Sequence, residues 1–254
     1  MNEEVIRTVG VDLAAEPQGT AVAVIEWTTD RARLVSLSLG NSDGAITEWV
    51  GSVSKIGIDC ALGWPDEFVS FIAGHADIAA PQSVDGGKEW RRTLAYRETD
   101  RRVHAKSGRW PLSVSTDRLG LTAMRCAGLL GRIADKGGSV DRSGATGIVA
   151  EVYPGATLRA WDFDTRGYRT QPGVRRSLIA RIQQDAPWLD LGDDVELMAA
   201  SADALDATVA GLAARAALLG LYDAPPPEHQ ERAEREGWIT LPTCGIVKLL
   251  RRDP

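Results

Sequence analysis

The sequence predicts an α/β fold in the order βββαβαβα, on three observations. Three β-rich runs follow one another near the start with short links between them. From Asn41 onward, strand-like apolar runs alternate with segments of helical periodicity. The most strongly helical segment, Ala202 to Leu219, comes after the last strand.

Taken in order, Val5 to Asp12 reads as a buried strand, followed after a turn at Glu16 to Gly19 by Thr20 to Trp27 and Arg33 to Leu39, an antiparallel meander. Asn41 or Ser42 is placed to cap a short helix through Val50, and Lys55 to Asp59 returns as a compact apolar strand. Ala61 to Leu112, with Pro65, Pro81, Pro111 and Gly86-Gly87, is irregular and too long for an ordinary connection, so it reads as a functional insertion. A helix is expected from Ser115 or Thr116 to about Asp135, with Leu119, Met124, Ala127 and Ile133 near one face. Gly147 to Tyr153 reads as the fifth strand, closed by Pro154, which has no N–H to donate. A second insertion spans Gly155 to about Met198 with one helix at Val174 to Asp185, and the Ala202 helix stops at Gly220. The tail begins at about residue 222 and holds a charged helical piece, Glu228 to Glu236, and an apolar segment, Trp238 to Leu241. A single domain over 1–254, with insertions at about 61–114 and 155–200, accommodates all of this.

Composition narrows the function classes. The 254 residues are 44% hydrophobic and 25% charged, an ordinary globular balance. The longest apolar stretch, Ala207 to Leu221, is broken by Arg215, and Glu3 and Glu4 stand where a signal peptide carries basic residues, so no membrane span or export signal is expected. Cys60, Cys126 and Cys244 are far apart and form no C-x-x-C pair, which fits a reducing cytoplasm better than a zinc site or disulfide framework. The formal charge of -6 argues against wholesale polyanion binding, yet Lys88 to Arg109 carries eight Lys or Arg against three acids.

The residues that point to chemistry are carboxylates. Asp12 ends the first strand, Asp59 ends the fourth and Glu151 lies near the end of the fifth, so they converge if the first and fourth strands are neighbours. Asp203 and Asp206, at i and i+3, share a helix face. Compensation of the helix dipole accounts for acids in a first turn but does not require two on one face. Clustered carboxylates repel one another unless a cation joins them, and oxygen-rich clusters suit Mg²⁺ or Mn²⁺. The chain has no G-x-S-x-G elbow, P-loop or G-x-G-x-x-G fingerprint, which leaves carboxylate and metal chemistry.

VGVDLA at Val9 to Ala14, IGIDCALGWP at Ile56 to Pro65, YRETDRRVH at Tyr96 to His104, STDRLGLTAMR from Ser115, EVYP at Glu151 to Pro154, DALDA at Asp203 to Ala207 and EGWITLP near the end span nearly the whole chain. In these motifs and their order the sequence resembles a family of uncharacterised prokaryotic proteins, a domain of unknown function, predicted to be nucleases of RNase H-like fold. The resemblance implies a mixed five-stranded sheet flanked by helices. It also implies metal ligation by Asp12, Asp59, Asp203 and Asp206, which occupy the places of RNase H-like ligands, while Glu151 belongs to the family's own EVYP motif. The expected activity is metal-dependent hydrolysis of a phosphodiester, with nucleic acid or a nucleotide as substrate.

Arg97, Asp100, Arg101 and Arg102 lie in the basic insertion, and if that motif is helical, Arg97 and Arg101 share a face. Beside a metal cluster these arginines suit a substrate phosphate; the alternative is a solvated helix with local ion pairs. His104 and Cys60 read as structural. Trp64, Trp90 and Trp110 are either base-stacking platforms or core filler. Two other function classes stay open: a phosphotransferase of the actin and sugar-kinase superfamily, which the Asp12 strand and hairpin superficially fit, and a non-catalytic binding protein of the same fold.

Overall fold

The strand β1 (Ile6–Asp12) is fully buried through its centre, Val9 and Val11 included, because it is flanked on both edges and covered on both faces. It pairs antiparallel with β2 (Ala21–Trp27), which pairs antiparallel with β3 (Ala32–Leu39). On its other edge it pairs in parallel with β4 (Lys55–Asp59), and β4 pairs in parallel with β5 (Val149–Glu151). The computed structural model describes residues 5–76 and 87–250, so Pro81 and Gly86, singled out in the first insertion, lie outside the described residues.

Between β3 and β4 stands α1 (Asp43–Thr47), capped by the Ser42 side chain, which accepts from the Ala45 N–H. The first insertion is not irregular where it is described. It folds into α2 (Asp66–Ala76), α3 (Gly87–Ala95) and α4 (Glu98–Ser107). Then α5 (Gly120–Asp135) begins later than Ser115 or Thr116, and its buried face is Thr122, Ala123, Cys126, Leu129, Leu130 and Ile133. Met124 and Ala127, expected with Ile133 on one face, point to solvent, Met124 at 65% exposure. At 100° per residue, 126, 129, 130 and 133 form the apolar stripe, and 124 and 127 fall outside it.

The second insertion holds α6 (Pro154–Ala160), α7 (Pro172–Asp185), β6 (Leu189–Asp190) and α8 (Val195–Ala200). β6 pairs in parallel with the outer edge of β3, giving a six-stranded mixed sheet in the order β5-β4-β1-β2-β3-β6. A two-residue strand carries no readable alternation, which is why only five strands are expected from the sequence. α9 (Ala202–Leu218) and α10 (Gln230–Glu236) complete the chain, and the apolar segment after α10 is buried and bridges Ile239 to Glu151.

Strand alternation sorts the two cores. Ala21, Ala23, Ile25 and Trp27 of β2 face α7, α8 and α9, while Val22 and Val24 join Val9, Val11, Ile56 and Ile58 against α5. The small residues on the α9 side set the spacing. A Cβ added to Gly10 would lie 2.0 Å from the Ala207 carbonyl oxygen and 2.1 Å from the Gly211 nitrogen, and one on Gly57 2.5 Å from the Ala210 oxygen. No residue but glycine allows this approach of helix to sheet.

Candidate active site at the strand ends

Asp12 and Asp59 are register partners at the C-terminal ends of the adjacent parallel strands β1 and β4, so both carboxylates leave the same face of the sheet. Asp12 shares parity with Gly10, which touches α9, and the first turns of α9 therefore bring Asp206 and Asp203 toward it. These four acids come from both ends of the chain to one place. Among the described residues, neither the Asp12 nor the Asp59 side chain makes a hydrogen bond or ion pair. Burial, followed by the charges of Asp59, Asp206 and Asp203, pushes the Asp12 carboxyl up to about 9. Burial and Asp206 push Asp59 well above the carboxylate range, with Arg169 opposing.

Asp206 is fully buried and fully engaged: it accepts from Tyr168 Oη at 2.9 Å and from Arg169 Nη2 at 2.6 Å and Nε at 3.1 Å. Burial raises its carboxyl and the Arg169 charge holds it back. Asp203, one turn earlier, is exposed. The cleft above these residues has a volume near 250 Å³ and is lined by Asp12, Asp59, Tyr153, Arg169, Leu112 and Leu119 among others. Tyr168 and Arg169 escaped the sequence reading. They lie in the second insertion, 38 and 37 positions before Asp206, and only an unassigned basic residue near Gly167 could have hinted at them.

Glu151 is placed differently. Its register partner is Ile58, one residue short of Asp59, so its side chain leaves the opposite face. There it accepts from Arg97 Nη1 and Nη2, both at 2.7 Å, and from the Leu62 N–H at 3.0 Å. Burial raises its carboxyl and Arg97 opposes the rise.

The three basic candidates also have protein partners. Arg97 precedes α4 as its cap, is 2% exposed, and donates to Asp100, Glu151 and the Glu236 carbonyl. It therefore shares no exposed helix face with Arg101. Arg101 pairs with Glu98, and Arg102 grips Asp223 through Nε and Nη2. His104 stacks on Trp110 with centroids 4.0 Å apart, Trp90 meets Phe71 edge to face, and Trp64 packs on the α5-side core. Cys60 is buried, its thiol raised first by a hydrogen bond with Cys126.

Among the described residues, no group of three or more His, Cys, Asp or Glu side chains is arranged to hold a metal ion, and no helix is long and apolar enough to cross a membrane. A family model described as "Protein of unknown function (DUF429)" matches residues 10–231. No curated protein and no solved structure matches the chain.

Proposed function

Because the chain belongs to the DUF429 family, whose description assigns no activity, we propose from its geometry that it is a metal-dependent phosphodiesterase or nuclease of RNase H-like fold. One observation carries the reading: two register-paired carboxylates, Asp12 and Asp59, open onto a cleft without hydrogen-bond partners, beside a third acid, and burial followed by these neighbouring charges raises the Asp12 carboxyl to about 9. Buried acids that the fold leaves uncompensated are costly to keep and mark functional sites. The antiparallel β1–β2–β3 meander followed by parallel β4 and β5 supports the fold assignment.

The donor set fits a divalent cation of a particular kind. Mg²⁺ is commonly held by one or two carboxylates, with water and substrate phosphate completing its shell, so the Asp12–Asp59 pair suffices without a three-residue cage. When bound, such an ion supplies water activation at neutral pH and neutralisation of charge on the phosphoryl group. The chain does the rest. Asp12 holds a proton near neutral pH and gives it up when a cation takes its place. Asp206, fixed by Tyr168, orients Arg169 at the cleft, where Arg169 Nη1, which makes no hydrogen bond among the described residues, is free to meet a phosphate oxygen. Leu112 and Leu119 give the cleft an apolar side that limits water.

The test is hydrolysis of bis(p-nitrophenyl) phosphate and of single-stranded, duplex and branched DNA and RNA with Mn²⁺. Activity should require Mn²⁺, vanish in EDTA, and fall in Asp12→Asn by more than the roughly 10–100-fold lost when an outer partner of a metal site is removed. Hydrolysis that persists in EDTA and in the variant, or no hydrolysis of any of these substrates, overturns the reading.

A further inference from the structure

Arg159, on α6, presents a guanidinium edge that the protein itself does not use. Its Nε and Nη2 are shielded from solvent and have no hydrogen-bond partner among the described residues. That Nε–Nη2 edge is the fork through which Arg102, Arg169 and Arg235 each grip a carboxylate, on Asp223, Asp206 and Asp66. At Arg159 the same fork meets no acid. A sheltered cation with unmatched donors is unfavourable, and an oxyanion is the partner whose geometry it fits.

Its location gives the fork a meaning. The Arg159 Cζ lies 5.8 Å from the centroid of the Tyr153 ring, and Tyr153 lines the carboxylate cleft. A Cβ added to Gly155 would sit 3.4 Å from Tyr168 Oη, 3.6 Å from Arg159 Nη1 and 3.7 Å from Tyr153 Cε2. Arg159 thus brings Nη1 near the tyrosine that holds Asp206, and the ring of Tyr153, which lines the cleft, stands beside its guanidinium. Gly155 leaves that corner free of a side chain of its own.

We infer that Arg159 and Arg169 form a phosphate subsite beside the Asp12–Asp59 pair, reached from the cleft by rotation of the Tyr153 ring. The subsite takes a phosphate monoester or diester oxygen pair on the Arg159 fork, with Arg169 Nη1 as second donor. This deepens the hydrolase reading and rests on it for the identity of the substrate, but not for the binding of phosphate. It also moves the substrate-holding role from Arg97, Arg101 and Arg102 to two arginines of the second insertion, Arg159 with its fork unpaired and Arg169 with Nη1 left over from its pair with Asp206.

Inorganic phosphate is the probe, titrated in EDTA and followed by ³¹P line broadening and by thermal shift, so that neither metal nor catalysis enters. Wild type should bind phosphate. Arg159→Ala should weaken binding on the order of tenfold, the worth of one hydrogen bond to a charged group. Arg159→Lys, which keeps the stem and charge but not the fork, guards against misfolding and should also bind more weakly than wild type. Asp12→Asn should retain phosphate binding while losing hydrolysis. Undiminished phosphate affinity in folded Arg159→Lys overturns the subsite even if the chain proves to be a nuclease. Arg159-dependent phosphate binding without any hydrolysis leaves the subsite standing and removes only the catalytic reading.

Discussion

Two groups of acids, Glu151 of β5 with Glu236 of α10 and the partly buried Asp12 and Asp59 at the ends of β1 and β4, are treated in opposite ways. Glu151 receives three donors, two from Arg97 and one from Leu62, and Glu236 accepts the N–H of Asp66 and of Glu98, so that one side chain serves the start of two helices. Asp12 and Asp59 receive none, and their neighbour Asp206 keeps Arg169 and Tyr168 for itself. The chain therefore has the means to neutralise a buried carboxylate and withholds them at one place. Residue type does not separate the two kinds of acid; the supply of donors does. Glu151 belongs with the first kind by its contacts, although it borders the cleft of the second.

The comparison breaks most visibly if Arg97 is removed. Arg97→Ala leaves Glu151 and Asp100 buried without their cation, and breaking such a pair from one side costs about 3–5 kcal/mol. Urea denaturation should show a loss of that size. A loss under about 1 kcal/mol, the size of an exposed pair, would place Glu151 with the uncompensated acids.

A smaller effect, of opposite sign, is expected at Asp12. Its carboxyl sits near 9 in the folded chain and at its ordinary 3.8 when unfolded. Between those values the folded state holds a proton that the unfolded state has released, so folding takes up a proton and metal-free stability falls as pH rises from about 4 to 9. Asp12→Asn removes this slope. It should gain on wild type by up to about 2.7 kcal/mol between pH 6 and 8 in EDTA, at one proton and about 1.36 kcal/mol per pH unit. Parallel stability profiles for the two proteins would show that Asp12 is compensated after all.

The smallest effect sharpens the structural side. Glu236→Gln keeps one accepting oxygen of the two that receive the Asp66 and Glu98 N–H groups. The loss should match that of a helix cap, about 0.5–2 kcal/mol. Burial holds the Glu236 carboxyl above its ordinary 4.5, so the folded wild type keeps a proton there that the unfolded chain releases, and the loss should be larger near pH 4.5 than at neutral pH, with no change in Mn²⁺ response by calorimetry.

Strands β1 and β4 were legible because their Val and Ile residues alternate around glycines and end in acids, and α9 because Ala and Leu fill it and Gly220, at φ 67°, stops it. Helix α4 was legible only as a condition: few of its residues are apolar, and it is held by the buried Arg97–Asp100 contact and by Thr99 and Val103, which no periodicity displays. The face of Glu151 was hidden because the register offset of β5 against β4 decides it, and a shift of one residue reverses it. Arg159 and Arg169 were hidden for a different reason. Their roles depend on what stands beside them in space, and the second insertion has no spacing rule linking them to α9.

The contact of Gly10 with the backbone of α9 turns that helix into a gauge block. Its backbone rests directly on the sheet, so the gap between the carboxylates of β1 and those of α9 is fixed by peptide dimensions and not by adjustable side chains. Alanines along the helix extend the same tolerance down its length. The dimension that matters to the cleft is in this way machined into residues that never face it, and a methyl group added at position 10 would put the whole assembly out of true.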